Sequence, residues 1–357
     1  MRILHTSDLH LNSPMRTKLS GEKARERRRE MLISFKKMTE YARREGCSAI
    51  IIAGDLFDSD RPTLSAMKYV KEVIEASSDL VFFYLPGNHE RRVLMQYGDL
   101  PENLRTFGDE WTSFAFGDVF ITGRATTCPD MFNKLALPEG APIIAVLHGE
   151  LREKSDTGGV IGRREIEKSR VSYLALGHYH SYREEKIGEC TAVYCGTPEG
   201  RGFDECGDMG FVIIDTGHTV SHRFIRGFGR GIRVPEIRYE PGLTTPELEE
   251  RMLAHLSEIP KSDLVRVRLT GRRSPEDRIE TALIERHIGE KFYYFEIKDE
   301  TGLSISAEDY RHDRSLKGEL IRLVLGDDGL SDEEKDRVIN CALSALMGEK
   351  YDSGEGL

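Results

Sequence analysis

The sequence predicts a layered α/β protein with mixed β-sheets flanked by helices, followed by a small α/β domain and a C-terminal helical tail. Three observations predict it. Over roughly the first 225 residues, short β-branched or aliphatic runs alternate with helix-like stretches and then give way to strand signals alone. A Gly- and Arg-rich stretch at 226–231 precedes a new periodicity of strand, helix, strand, helix, strand over 233–298. The remainder, 299–357, is acidic, with 15 Asp and Glu against 7 Lys and Arg, and carries two helical patterns.

In chain order, strands are expected at 2–6, 49–53, 81–85, 119–122, 143–147, 173–176, 192–195, 211–215 and 220–225. A helix at 22–45, ended by Gly46, separates the first two, and a second helix is expected at 64–76. The later unit reads as a compact βαβαβ: strand 233–239, helix 245–257, strand 264–270, helix 275–288, strand 292–298. Helices at 316–325 and 332–347 follow, the second with Ser331 as N-cap and Glu334 as its capping-box partner. The expected domain limits are 1–229, 230–300 and 301–357.

A chain of 357 residues with 39% hydrophobic content suits a globular protein of two or three domains. The apolar runs fall far short of the roughly 20 residues that cross a bilayer, so no membrane association is expected. The opening Met-Arg-Ile-Leu-His-Thr-Ser-Asp places His and Asp where a signal peptide needs an apolar core, which points to a cytoplasmic protein. Six cysteines without a CxxC pair read as reduced, mostly buried thiols. The net charge of −10 excludes a uniformly basic surface, yet basic runs stand at 25–29, at Arg91-Arg92 and at Arg163, Arg164, Lys168 and Arg170.

Five strand-like runs are each followed by residues able to bind a divalent metal. Asp8-Leu-His10 follows the first, with both side chains on one side of an extended segment. Gly54-Asp55, Gly87-Asn88-His89-Glu90, His148-Gly149 and Gly177-His178-Tyr-His180 follow the others. The first four pieces alone read as polar turns or a structural histidine, whereas two His at spacing two after an apolar strand and a Gly point to metal. Ligands in open α/β sheets collect beyond the carboxyl ends of the strands, and there the five ends present Asp, His, Asp, Asn and three further His together.

The order Asp8-x-His10, Gly54-Asp55-x-x-Asp58, Gly87-Asn88-His89-Glu90, His148 and Gly177-His178-x-His180 resembles the calcineurin-like metallophosphoesterase superfamily. Within it, the opening through Leu11 and the segment Ala53-Gly-Asp-Leu-Phe-Asp-Ser-Asp-Arg-Pro62 resemble the SbcD-like DNA repair exonucleases. The resemblance implies the layered metallophosphoesterase fold and a site with two divalent metal ions, Mn²⁺ first, with Fe²⁺ or Mg²⁺ as alternatives. Asp8, His10, Asp55 and His180 would hold one ion; Asp55, Asn88, His148 and His178 would hold the other, with Asp55 bridging. Carboxylate, amide oxygen and imidazole without thiolate agree with that choice of metal. His89 is left unligated, and the resemblance implies that it steadies the transition state or protonates the leaving oxygen.

Two positions depart from the family pattern. Glu90 replaces the usual Asp, which re-routes a hydrogen bond expected to orient a ligand, and Asp58 matches bacterial relatives where archaeal ones carry His. The resemblance further implies DNA as substrate; Arg61, Arg91 and Arg92 and the run 23–29 read equally as contacts to its phosphates and as solvated helix positions. It also implies a cap domain that selects DNA shape, a homodimer and an SMC-like coiled-coil ATPase as partner; the apolar tail positions Leu320, Leu323, Leu325, Ile339, Leu343 and Leu346 read equally as the surface for that partner and as a two-helix finish packed on the chain's own core. Two rivals stay open: a phosphoesterase for small phosphodiesters or phosphoproteins, and a non-catalytic scaffold.

Overall fold

The computed structural model describes residues 1–15, 19–90, 94, 99–135, 140–155, 157–217, 219–274, 277–303 and 310–347. The chain divides into two compact units, Met1–Ile232 and Arg233–Leu357.

The first unit is built on two six-stranded mixed sheets. One runs in the order Val220–Arg226, Gly210–Thr216, Arg2–Thr6, Cys47–Ala53, Val81–Leu85, Leu104–Thr106. The last four are mutually parallel and the first two antiparallel. The other runs Arg183–Ile187, Cys190–Tyr194, Tyr173–Gly177, Ile143–His148, Val119–Gly123, Thr112–Phe116, with antiparallel strands only at its edges.

Strand alternation explains why both faces of each sheet are apolar. Along Cys47–Ala53, Ala49, Ile51 and Ala53 face the second sheet's Ile144, Val146 and Ala175, while Ile50 and Ile52 pack against helix residues Phe35, Met38, Val70 and Ile74. The helices Gly21–Arg44 and Leu64–Glu75 cover that outer face, each opened by a hydroxyl cap: Ser20 Oγ accepts from Lys23 N, and Thr63 Oγ1 accepts from Ala66 N. Leu147, Leu174, Leu176 and Tyr194 form a third cluster on the far side of the second sheet.

All nine expected strands of this unit form, within two residues of their predicted ends. The sequence reading missed Leu104–Thr106, Thr112–Phe116, Glu150–Arg152, Val160–Gly162 and Arg183–Ile187. Most are short. Arg183–Ile187 is a charged edge strand, which carries no apolar alternation because an exposed edge is protected by charge.

In the second unit the strand Leu264–Arg273 lies between Glu236–Tyr239 and Tyr294–Asp299, parallel to both, under the helices Thr245–His255 and Thr281–Gly289. Two expectations need correction. Pro235, lacking an N–H, interrupts the run read as one strand, leaving Ile232–Arg233 and Glu236–Tyr239. Positions 275 and 276 of the expected helix lie outside the described residues; the helix runs from Thr281, and ahead of it the Asp277 carboxylate accepts from Ser274 N and Gly242 N. The tail helices Leu316–Leu325 and Asp332–Met347 match their expected limits, and Ser331 and Glu334 form the reciprocal cap. Ile321, Ile339, Leu343 and Tyr310 bury each other, whereas Leu316 and Leu323 are 72% and 68% exposed. Leu346 lies outside the residues whose side chains are described. All six cysteines are free, Cys206 and Cys341 exposed. Among the described residues no helix is long and apolar enough to cross a membrane.

Candidate metal centre

The carboxyl ends of the parallel strands bring their loops together, and close backbone approach is what the glycines permit. A Cβ on Gly54 would stand 2.1 Å from His148 Nδ1, and one on Gly87 would stand 2.0 Å from Asp55 Oδ1. The first two loops run side by side: Asp8 N donates to the Gly54 carbonyl at 3.0 Å, and His10 N to the Asp55 carbonyl at 2.9 Å. Asp8, His10 and Asp55 all take left-handed backbone angles, with φ of 50°, 44° and 50°. Such conformations are unfavourable for non-glycine residues and persist where surrounding structure over-determines them.

Part of that determination comes from Glu90. Its buried carboxylate accepts from Leu56 N at 2.7 Å and Phe57 N at 2.9 Å, locking the backbone just after Asp55. The hydrogen bond expected to be re-routed by the longer side chain therefore ends on backbone and steadies the Asp55 loop. Burial raises the Glu90 pKa to about 8, against the lowering pull of Tyr84 and those two N–H groups.

Asp55 sits at the middle of the cluster. Its Oδ2 lies 3.3 Å from His148 Nε2 and 3.8 Å from His10 Nε2, and its Oδ1 accepts from His89 N at 3.0 Å. Asn88 Oδ1 is 2.8 Å from His148 Nε2. On the other side, His10 Nε2 faces His180 Nε2 at 3.2 Å, and Asp8 Oδ1 lies 3.8 Å from His180 Nε2. Asp8 also accepts from His178 N at 3.1 and 3.0 Å. The His178 ring meets His148 edge-on at 5.5 Å between centroids. Six of the seven sequence-expected ligands thus stand within 3.8 Å of another, and His178 adjoins them through its backbone N and the edge of its ring.

The donor set fits cations. A neutral imidazole has one donor and one acceptor nitrogen. His148 Nδ1 lies 3.0 Å from the Ala53 carbonyl, so it carries the proton and leaves the Nε2 lone pair facing the Asp55 carboxylate. His180 Nδ1 lies 2.7 Å from Glu205 Oε1, and His10 Nδ1 stands obliquely 3.1 Å from Asp58 Oδ1. With protons on those outer nitrogens, two Nε2 lone pairs point at each other across 3.2 Å. Opposed lone pairs beside a buried carboxylate are repulsive unless a positive charge lies among them. Without metal a proton serves: burial depresses the His180 pKa, but the bond to Glu205 and the charge of Asp8 outweigh it and raise it, and beside Asp55 burial of His148 is likewise outweighed, by the bond to Asp55 and the charges of Asp8 and Asp55, which raise its pKa to about 9. Burial and the neighbouring His148 lower that of His178, which keeps its ring neutral as a ligand must be.

His10, Asp58 and His89 also come close enough for one ion, as do Asp8, His10 and His180, and Asp8, Asp55 and His148. His89 itself is exposed, its ring edge-on to His10 at 4.9 Å and its Nδ1 3.4 Å from the Asp58 carbonyl. Two residues that support the site were not foreseen. Arg201 Nη1 donates to Asp58 Oδ1 at 2.6 Å while its Nε donates to Glu205 Oε1 at 2.9 Å, tying together the carboxylates behind His10 and His180. They lie on a loop beyond the last recognised motif, where only the charged residues of Arg201-Gly-Phe-Asp-Glu205 hinted at them.

The basic run needs correction. Arg27 is fully buried and pairs at 2.6 Å with both Glu199 and Glu30, so it is not available to a substrate. Arg61 is exposed, with its backbone N donating to Ser59 Oγ at 3.3 Å. Arg91 and Arg92 lie outside the described residues.

Fold and donor set define a metallophosphoesterase, and residues 1–182 match the family model for calcineurin-like phosphoesterases. The chain belongs to that family. It is 27% identical to the DNA double-strand break repair protein Mre11 of Methanosarcina mazei, over 60% of this chain and 36% of that protein. It is 28% identical to the uncharacterized metallophosphoesterase YhaO of Bacillus subtilis, over 63% of this chain and 60% of that protein. It is 29% identical to a subunit of the nuclease SbcCD of Escherichia coli, over 60% of this chain and 65% of that protein. These matches agree with the SbcD-like branch that the motifs resemble. The chain spans between about a third and two thirds of the length of these relatives.

Proposed function

We propose that this protein is a dinuclear-metal-dependent phosphodiesterase that cuts DNA, with Mn²⁺ as its metal. The observation that carries the reading is the Asp55 carboxylate, set between His10 on one side and His148 on the other. Asp8, His10, Asp55 and His180 would hold one ion and Asp55, Asn88, His148 and His178 the second. When bound, such a pair supplies Lewis acidity and a hydroxide nucleophile near neutral pH.

The remaining work falls to the chain itself. Glu90 and the left-handed turns fix Asp55, and Glu205 and Asp58 orient the two imidazoles behind which they stand. His89 holds its Nδ1–H toward the Asp58 carbonyl, so that the imidazolium form presents a second proton on Nε2 to the departing oxygen and becomes the neutral ring.

DNA as substrate is supported by the likeness to proteins named as a DNA double-strand break repair protein and part of a nuclease. From the resemblance of the motifs to the SbcD-like exonucleases we further infer a homodimer that acts in the cytoplasm with an SMC-like coiled-coil ATPase. The exposed Leu316 and Leu323, seven residues apart on one tail helix, suit that partner. Residues 230–300 would select DNA shape, and 301–357 would bind the ATPase.

Linear duplex DNA, bis-p-nitrophenyl phosphate and a phosphopeptide, each incubated with Mn²⁺ and with chelator, test the reading. Metal-dependent DNA cleavage is expected; turnover of the small diester alone would leave a small-molecule phosphoesterase, and no turnover at all a scaffold. His89→Ala is expected to keep its metal content and lose roughly 10²- to 10⁴-fold in turnover. Loss of metal from that variant would remove His89 from the proton-donor role.

A further inference from the structure

A sixth parallel strand also ends at the candidate metal centre. In the second sheet, Val119–Gly123 lies beside Ile143–His148, with Gly123 opposite Val146, two residues before His148. The residue that follows Gly123 is Arg124. Across the sheet the segments after the strand ends therefore carry His178 and His180, then His148, then Arg124, neighbouring strands standing about 4.8 Å apart.

Arg124 is 4% exposed, and neither its Nε nor its Nη1 meets a hydrogen-bond acceptor. Its ion-pair partner is Glu110, whose Oε2 lies 3.6 Å from Nη1, beyond hydrogen-bonding distance, on a side chain that is 78% exposed. Solvent screens such a partner, so a permanently charged guanidinium is left buried and poorly compensated. The other buried arginine among the described residues is treated differently: Arg27 meets two carboxylates and a carbonyl. Arg124 lines one cleft of about 950 Å³ with Asn88, His148 and His178. Three carboxylates also line it: Glu110, Asp109, whose Oδ1 accepts from Thr126 Oγ1 at 2.8 Å, and Glu90, which is engaged by Leu56 N and Phe57 N.

We propose that Arg124 is an anion subsite for the phosphate next to the one being cut, so that the preferred substrate carries at least two phosphodiester groups in one chain. This rests on the phosphodiesterase reading of the metal centre. The planar fork of an arginine matches two oxygens of a phosphate, and the sideways displacement from His148 suits a flanking group rather than the reacting one. Arg124 thus separates a polymeric phosphodiester from a small one by a contact that only the polymer makes.

The test uses the full chain, Arg124→Ala and the milder Arg124→Lys, with a fluorescent ten-nucleotide oligothymidylate as probe. In chelator, where nothing is cleaved, Arg124→Ala is expected to bind at least tenfold more weakly, with a salt dependence reduced by about one phosphate contact. Arg124→Lys should recover part of the affinity, because the charge remains and the fork is lost. With Mn²⁺, the loss in kcat/KM on the oligonucleotide should exceed the loss on bis-p-nitrophenyl phosphate by tenfold or more. Equal losses on both substrates, or binding within twofold of the parent and an unchanged salt slope, would overturn the proposal. If Arg124→Ala does not fold, Arg124→Lys decides by the same two readouts. A parent that cleaves the small diester and never the oligonucleotide would refute the DNA reading, while the binding arm still judges Arg124.

Discussion

The two halves of the metal centre that meet at Asp55 are held by different kinds of support. Behind His10 and His180 stand carboxylates, Asp58 and Glu205, themselves joined through Arg201. Behind His148 stands a backbone carbonyl, that of Ala53, and packing space that exists only because residue 54 is glycine. A carboxylate raises the basicity of the imidazole it supports more than a carbonyl does. One half is therefore tuned by charge and the other by backbone position, and the two should fail in different ways.

The largest effect is expected where the halves join. Asp55→Asn removes the charge that both share while keeping the side chain's size, and it should lower turnover by roughly 10³-fold or more, with both ions bound weakly. Metal analysis after gel filtration checks this. Retention of two tightly held ions would show that the halves do not depend on a common carboxylate.

Next comes the backbone-held half. Gly54 has a φ of 96°, and a Cβ there would lie 2.1 Å from His148 Nδ1 and 2.6 Å from its Cγ. Gly54→Ala should displace His148, so that about one ion per chain remains and turnover falls on the order of 10²-fold, the scale of a misplaced catalytic group. Two ions per chain in that variant, by the same metal analysis, would mean that the ring is free to move and that the two halves are equally adaptable.

The same contrast explains what could be read from the chain. Candidate-site residues that closely follow an apolar run were legible, because the run marks a strand and the strand's end marks the cleft: Asp8, Asp55, His148 and His178 are such cases. Their supports were not. Glu205 and Arg201 reach the site from a loop that has no periodicity, and Arg124 ends a strand in the way that solvated charges commonly do. Arg27 shows the reverse error, since a basic helix run gives no sign that one member turns inward to Glu199. Glu90 was visible as a departure, but its destination on Leu56 N and Phe57 N depends on tertiary approach. The fold was more legible than the supports because its nine apolar strands and capped helices signal locally, while the missed strands are short or charged.

The smallest effect separates the halves most cleanly. Glu205 accepts from Arg201 and stands 2.7 Å from His180 Nδ1; burial pushes its pKa up, but His180 and Arg201 together bring it to about 2, so it is ionised at every working pH. Glu205→Gln keeps an oxygen for the His180 N–H and removes only the charge. The ion held by Asp8, His10 and His180 should then bind roughly 10- to 100-fold more weakly, the usual consequence of losing a carboxylate behind a ligating histidine. The ion held by Asn88, His148 and His178 should be nearly unaffected, because its support is the Ala53 carbonyl. Calorimetric titration of the metal-free chain with Mn²⁺ would then resolve two steps farther apart in affinity than in the parent. A parallel weakening of both steps would place the charge of Glu205 in the field of the whole site instead of behind one ring, and the distinction between a charge-tuned and a backbone-tuned half would fall.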